Sequence, residues 1–133
     1  MNTTLESASP AIDTGLICLV MMARFHGVAA EPDQLKHEYI VDGQPFSVQD
    51  LLLASKKLGL VAKKITCTRE RLATTPLPAV CQLQTGGYVI VAKVEDAKVL
   101  IQDPLVERPE IFPLDEFFLK TNGVFILMTS RAS

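Results

Sequence analysis

The 133-residue sequence predicts an α+β domain, with helices in its first half and an antiparallel sheet in its second. Three observations carry this reading. Apolar residues recur at helical spacing, between capping signals, as far as Leu58. From Leu60 onward short β-prone runs alternate with tight turns. No internal repeat and no linker rich in glycine and serine divides the chain. The length suits one domain and suffices to bury a core without staples, and 48% hydrophobic with 21% charged residues is the composition of a folded protein.

The elements follow in order. Residues 1–10 are small and polar and are expected to be a loose terminus, the domain proper running over 11–129 and a linker starting at 130–133. Asp13 is an N-cap candidate for a helix from Thr14 to Phe25, whose large apolar side chains at nearly every position predict burial on all sides. His26-Gly27 stops it with a glycine C-cap. Glu31-Pro32-Asp33 opens a short second helix with Leu35 and Tyr39 on one face. Ser47-x-x-Asp50 reads as a capping box for a third helix, with Val48, Leu51, Leu52 and Leu58 at helical spacing, Lys56 and Lys57 in the last turn and Gly59 beyond it.

Residues 60–65 fit either a strand or a connector, and Arg69–Leu72 a single helical turn. Pro76-x-Pro78 forces an extended entry into a strand at Ala79–Leu83, and Thr85-Gly86-Gly87 turns it into a strand over 88–94. Glu95-Asp96-Ala97-Lys98 turns again into 99–102. After Asp103-Pro104 come an edge strand around 110–112, a short helix over 114–119 and a last strand over 124–128. By the period of two, Tyr88 is expected to share a face with Ile90, Ala92 and Val94.

Several functions are disfavoured at this point. A net charge of −2 provides no basic field for a phosphate backbone, so nucleic acid is not an expected partner. Cys18, Cys67 and Cys81 are odd in number and scattered, with no histidine at ligand spacing. Neither a disulfide framework nor a zinc site is indicated, no cofactor is expected, and a reducing cytosol is the default. The first residues lack the basic start and apolar run of a signal peptide, and no apolar stretch is long enough to span a bilayer.

Asp13-Thr14-Gly15-Leu16-Ile17-Cys18-Leu19 resembles the Asp-Cys-Gly-x-x-Cys-Leu opening of the bacteriocin-processing cysteine peptidases, the N-terminal domains of ABC exporters that cleave double-glycine leaders. It is similar, more closely, to their degenerate relatives on type I secretion exporters of the hemolysin and RTX-adhesin kind. Phe46 to Leu60, Leu77-Pro78-Ala79-Val80, Tyr88-Val89-Ile90-Val91 and Asp103-Pro104 follow the family order. The likeness covers about residues 10–129, and it implies a papain-like fold with a cleft between its two halves.

A peptidase of that type needs a thiol, an imidazole to take its proton, a group that orients the imidazole, and donors for the oxyanion. The resemblance assigns these roles to the start of the first helix, the strand after the glycine turn and the Asp-Pro. Here those positions hold Thr14, Tyr88 and Asp103, and the oxyanion glutamine is replaced by Ala8. A threonine hydroxyl needs a neighbouring base, and a phenol is a poor one at neutral pH. Cys18, Cys67 and Cys81 read as small apolar fillers, and His26 and His37, both in the helical half, as surface or capping residues. Two readings of Asp103 stay open: it starts the turn that Pro104 fixes, or it accepts a hydrogen bond from Thr14 or Tyr88. Tyr88 itself either lines the cleft or packs in the core.

The expectation is therefore no catalysis. Thr14, Tyr88 and Asp103 would be vestigial positions lining a cleft, in a recognition domain at the cytoplasmic face of a bacterial inner membrane. Its partners would be an unfolded secreted protein (an RTX toxin, adhesin or hydrolase) and the membrane and ATPase domains of the parent exporter. The alternatives are a leader peptidase with altered residues, a docking module that steadies the exporter, and an interaction domain unrelated to export.

Overall fold

The computed structural model describes residues 12–39 and 43–130; the expected loose terminus, Ala8 with it, and residues 131–133 lie outside the described residues. Helix α1, Thr14–Phe25, starts where predicted: Asp13 Oδ1 accepts a hydrogen bond from the Leu16 amide at 3.2 Å. It ends at His26 with Gly27 at φ +72°, the left-handed conformation that glycine adopts without steric cost. Leu16, Leu19, Met22 and Ala23 are buried. Burial on all sides is not observed: Ile17 and Met21 are half-buried and Phe25 is 65% exposed. A single sheet and two short helices do not wrap the helix completely, and apolar residues are not obliged to be inside.

Helix α2, Pro32–Tyr39, buries only Leu35, while Tyr39 sets its ring against Phe46 at 5.9 Å between centroids. Helix α3, Val48–Lys57, has the predicted capping box, with Ser47 Oγ accepting from the Asp50 amide at 3.1 Å and Asp50 Oδ2 from the Ser47 amide at 3.0 Å. Residues 60–65, left open between strand and connector, are strand: β1 runs Leu60–Thr66. Helix α4, Arg69–Leu72, is one turn capped by Thr68.

Strands β2 (Ala79–Leu83), β3 (Tyr88–Glu95), β4 (Lys98–Gln102) and β5 (Glu110–Pro113) form an antiparallel meander, followed by helix α5, Leu114–Phe118, and strand β6, Thr121–Ser130. The sheet order is β1-β6-β2-β3-β4-β5. The last strand is thus longer than 124–128 and lies between β1 and β2, with Ser130 paired to Leu60. Its composition suits that place, because Ile126 and Met128 enter the core under the helices while Phe125 and Leu127 enter the core on the other face.

Two apolar layers therefore sandwich the sheet. One joins Leu19, Met22 and Leu51 to Val80, Ile90 and Ile126; the other joins Leu72 and Phe117 to Val91, Val99 and Phe125. Tyr88 and Ile90 belong to the helix side, but Val94 packs on the opposite side, contrary to the simple alternation. The register slips between Val91 and Lys93 against β4, and one extra residue in a strand moves every later side chain to the other face.

Candidate functional site

Helix α1 and strand β3 begin at the same place, and their first residues touch. Thr14 Oγ1 accepts a hydrogen bond from the Tyr88 amide at 2.9 Å, joining positions 74 residues apart in sequence. The turn that delivers Tyr88 is closed by Leu83 N donating to Gly87 O at 2.8 Å and Gly86 N to Leu83 O at 2.9 Å, with Gly86 at φ +97°. Gly15 lets the helix approach closely: a β-carbon there would lie 3.0 Å from Phe46 Cβ and 3.1 Å from the Tyr88 ring. The resemblance already put Thr14 and Tyr88 in one cleft; that the hydroxyl meets the Tyr88 backbone amide is decided by the fold.

A cleft of about 500 Å³ opens over this contact, with Asp13, Thr14, Lys36, Gln44, Gly86 and Tyr88 among its walls. The described residues lining it include no cysteine and no histidine. Tyr88 is 3% exposed, and Gln82 Nε2 donates to its hydroxyl at 3.3 Å. Burial, then the charges of Asp13 and Asp50, push the Tyr88 phenol up to about 12, so it is neutral at physiological pH and no base. Asp13 spans the cleft's edge, its Oδ2 accepting from the Phe46 amide at 3.0 Å.

Asp103 is not among the cleft's lining residues. Its Oδ1 accepts from the Leu105 amide at 2.8 Å and its carbonyl from the Val106 amide at 3.0 Å, so it starts the turn after β4. Neither Thr14 nor Tyr88 bonds to it. Cys18 lies one turn beyond Thr14, fully buried. Burial first, then the charge of Asp103, raise its thiol far above the ordinary range, which leaves it no thiolate character. Cys81 and Cys67 are buried as well, Cys81 with its sulfur 3.0 Å from Thr121 Oγ1. His37 is exposed on α2. His26 is the C-cap residue of α1, and its Nε2 is buried with no hydrogen-bond partner among the described residues. Among the described residues no group of histidine, cysteine or carboxylate side chains is placed to hold a metal ion.

The second oxygen of Asp13, Gln82 behind Tyr88, and Lys36 and Gln44 on the cleft wall escaped the sequence reading. Asp13 carried a signal as a cap. The other three had none, being polar residues whose roles depend on which strand or loop lies opposite.

Helices packed on an antiparallel sheet, with a cleft where the first helix meets the strand after the glycine turn, are the arrangement of papain-like domains. Residues 4–133 match the peptidase C39 family, and the chain belongs to it. It is 39% identical over its whole length to the cyclolysin secretion/processing ATP-binding protein of Bordetella pertussis, of which it spans 19%. The N-terminal peptidase C39-like domain of a toxin secretion ATP-binding protein from Vibrio parahaemolyticus superposes with a TM-score of 0.81 at 21% identity, covering 91% of this chain and 99% of that one. A double glycine motif protease from an AMS/PCAT transporter, solved with its leader peptide, also gives 0.81, at 19% identity over 90% of this chain and 86% of that one. No helix among the described residues is long and apolar enough to cross a membrane.

Proposed function

We propose that this chain is the non-catalytic, client-holding domain of a type I secretion ABC exporter, tethered at the cytoplasmic face of a bacterial inner membrane. The client is an unfolded RTX-type protein awaiting export. The observation that carries the reading is the Thr14–Tyr88 contact. At the positions to which the family resemblance assigns a thiol and an imidazole, this chain has a hydroxyl that accepts from a backbone amide and a neutral, buried phenol. A threonine without a base attacks nothing, and a phenol held protonated accepts no proton.

The surroundings support holding rather than cutting. The cleft survives, and the leader-peptide complex of a protease with this fold is consistent with peptide occupancy. The Bordetella relative is named as a secretion/processing ATP-binding protein, which fits a larger exporter around a domain of this size. Binding of an unfolded chain is modest in affinity, because each residue held loses conformational freedom, and that suits a passenger to be released.

The test uses the full exporter with the domain deleted. Lost secretion with normal assembly and ATPase activity supports the reading; failed assembly supports the docking-module alternative. Cleavage of a double-glycine leader peptide by the unaltered domain, abolished by Thr14→Ala, would replace it with an active peptidase.

A further inference from the structure

Strand β1 is an edge of the sheet. It pairs with β6 on one side over seven residues, and among the described residues no strand pairs with its other side. Alternation divides its side chains: Leu60 and Ala62 face the helices, and Lys64 shares their parity, while Val61 and Lys63 share the parity of Ile65 on the opposite face. Val61 is 53% exposed, and Lys63 and Lys64 are exposed.

Two further features bear on this edge. Lys63 and Lys64 have no carboxylate within ion-pair distance among the described residues, and neighbouring β6 contains no acidic residue at all. The chain as a whole is net acidic, so this is a local cationic margin on a protein of opposite sign. The second feature lies inboard of the edge, over β6: a mainly apolar cavity of about 290 Å³ between Val61 and Lys63, Leu127 and Thr129 of β6, and Leu77, with His26, whose Nε2 is buried and without a hydrogen-bond partner among the described residues, also in its wall.

We propose that the free edge of β1 is a second contact for the client, outside the cleft, taking an acidic extended segment as a seventh strand of the sheet. The proposal rests on the client-holding reading and adds to it a place and a chemistry. Main-chain hydrogen bonds to the edge supply sequence-independent affinity, and side chains of alternate parity supply selectivity. On one face the segment's carboxylates lie beside Lys64; on the other its apolar side chains lie beside Val61 and along the methylene stem of Lys63. A second copy of this chain does not suit the edge, since β1 against β1 would set lysines against lysines. Lysines on an exposed edge exclude neutral and basic strands and admit an acidic one.

The probe is a capped octapeptide of alternating glutamate and valine, added to the isotope-labelled chain. Expected are slowed exchange and shifted resonances of the β1 amides, and weakening by salt. The double variant Lys63→Glu/Lys64→Glu, with an unchanged circular dichroism spectrum, should bind at least about tenfold more weakly. N-methylation of the glutamates or of the valines should abolish binding in one case and spare it in the other, because only one parity points its amides at the edge. Equal binding of the lysine–valine octapeptide, shifts confined to the Thr14–Tyr88 cleft, or protection of β1 by phosphatidylglycerol vesicles and not by peptide would each overturn the inference. The client-holding reading would survive those results. It falls separately, if deleting the domain leaves secretion intact.

Discussion

Asp13 Oδ2 receives the Phe46 amide at 3.0 Å while Oδ1 of the same carboxylate receives the Leu16 amide at 3.2 Å. One side chain thus caps α1 and fastens to it the segment that leads into α3, 33 residues further along. Removing it leaves two amides unsatisfied. Asp13→Ala should cost about 2–4 kcal/mol, roughly 1 for the cap and 1–3 for the partly buried Phe46 amide. Asp13→Asn, with one acceptor oxygen instead of two, should fall between. Urea unfolding of the three proteins checks the order, and an alanine variant as stable as the asparagine one would contradict it.

Thr14 Oγ1 accepts the hydrogen bond of the Tyr88 amide at 2.9 Å. Thr14→Val keeps the shape and removes the acceptor, so it should destabilise by about 1–3 kcal/mol and speed hydrogen exchange at Tyr88. Thr14→Ser should stay within about 1 kcal/mol of the parent. Equal exchange at Tyr88 in both variants would show that the hydroxyl does not hold the strand.

At Gly15 two effects oppose each other. Alanine is the better helix former by about 1 kcal/mol, but its β-carbon would press on Phe46 Cβ and the Tyr88 ring at 3.0 and 3.1 Å, where overpacking costs about 1–3 kcal/mol. Both neighbours are buried and held, so the clash should win and Gly15→Ala should lower the thermal midpoint. A higher midpoint would mean that α1 and β3 can move apart freely.

Alkaline pH should weaken the fold. Burial pushes the Cys81 thiol from an ordinary 9.0 up to about 12, the Tyr88 phenol from 10.0 up to about 12, and the Cys18 thiol upward as well. Above about pH 9 the unfolded chain releases protons that the native state keeps, so stability falls with pH. Each group adds a slope of up to about 1.4 kcal/mol per pH unit until its folded value is passed. Urea midpoints at pH 8, 9.5 and 10.5 should drop progressively, and Cys81→Ala or Tyr88→Phe should each flatten the decline. The native thiols of Cys18 and Cys81 should also resist alkylation at pH 8 until urea unfolds the chain.

Most elements are legible because their causes are local. The Ser47–Asp50 capping box, the Asp13 cap, the Thr85-Gly86-Gly87 turn and the glycine stops at Gly27 and Gly59 each operate within a few residues, and each stands where predicted. Legibility failed where a distant partner decides. Nothing in residues 60–65 distinguishes strand from connector until β6 pairs with them, and the period of two cannot foresee the bulge that turns Val94 away from the helices. Asp103 was ambiguous for the same reason; its own turn at Leu105 claimed it.

By itself the order of residues determined the α+β division, the family resemblance, and the absence of a thiol or imidazole at the start of the first helix and of the strand after the glycine turn, because residue identity and local spacing are written along the chain. Only tertiary structure decided that Thr14 bonds to the Tyr88 backbone, that Gln82 holds the Tyr88 hydroxyl, that β6 enters the middle of the sheet, and that β1, with Lys63 and Lys64, stands at the end of the strand order among the described residues. Those are relations between segments far apart in sequence. Their geometry comes into being when burial of two apolar faces selects one packing of helices against sheet.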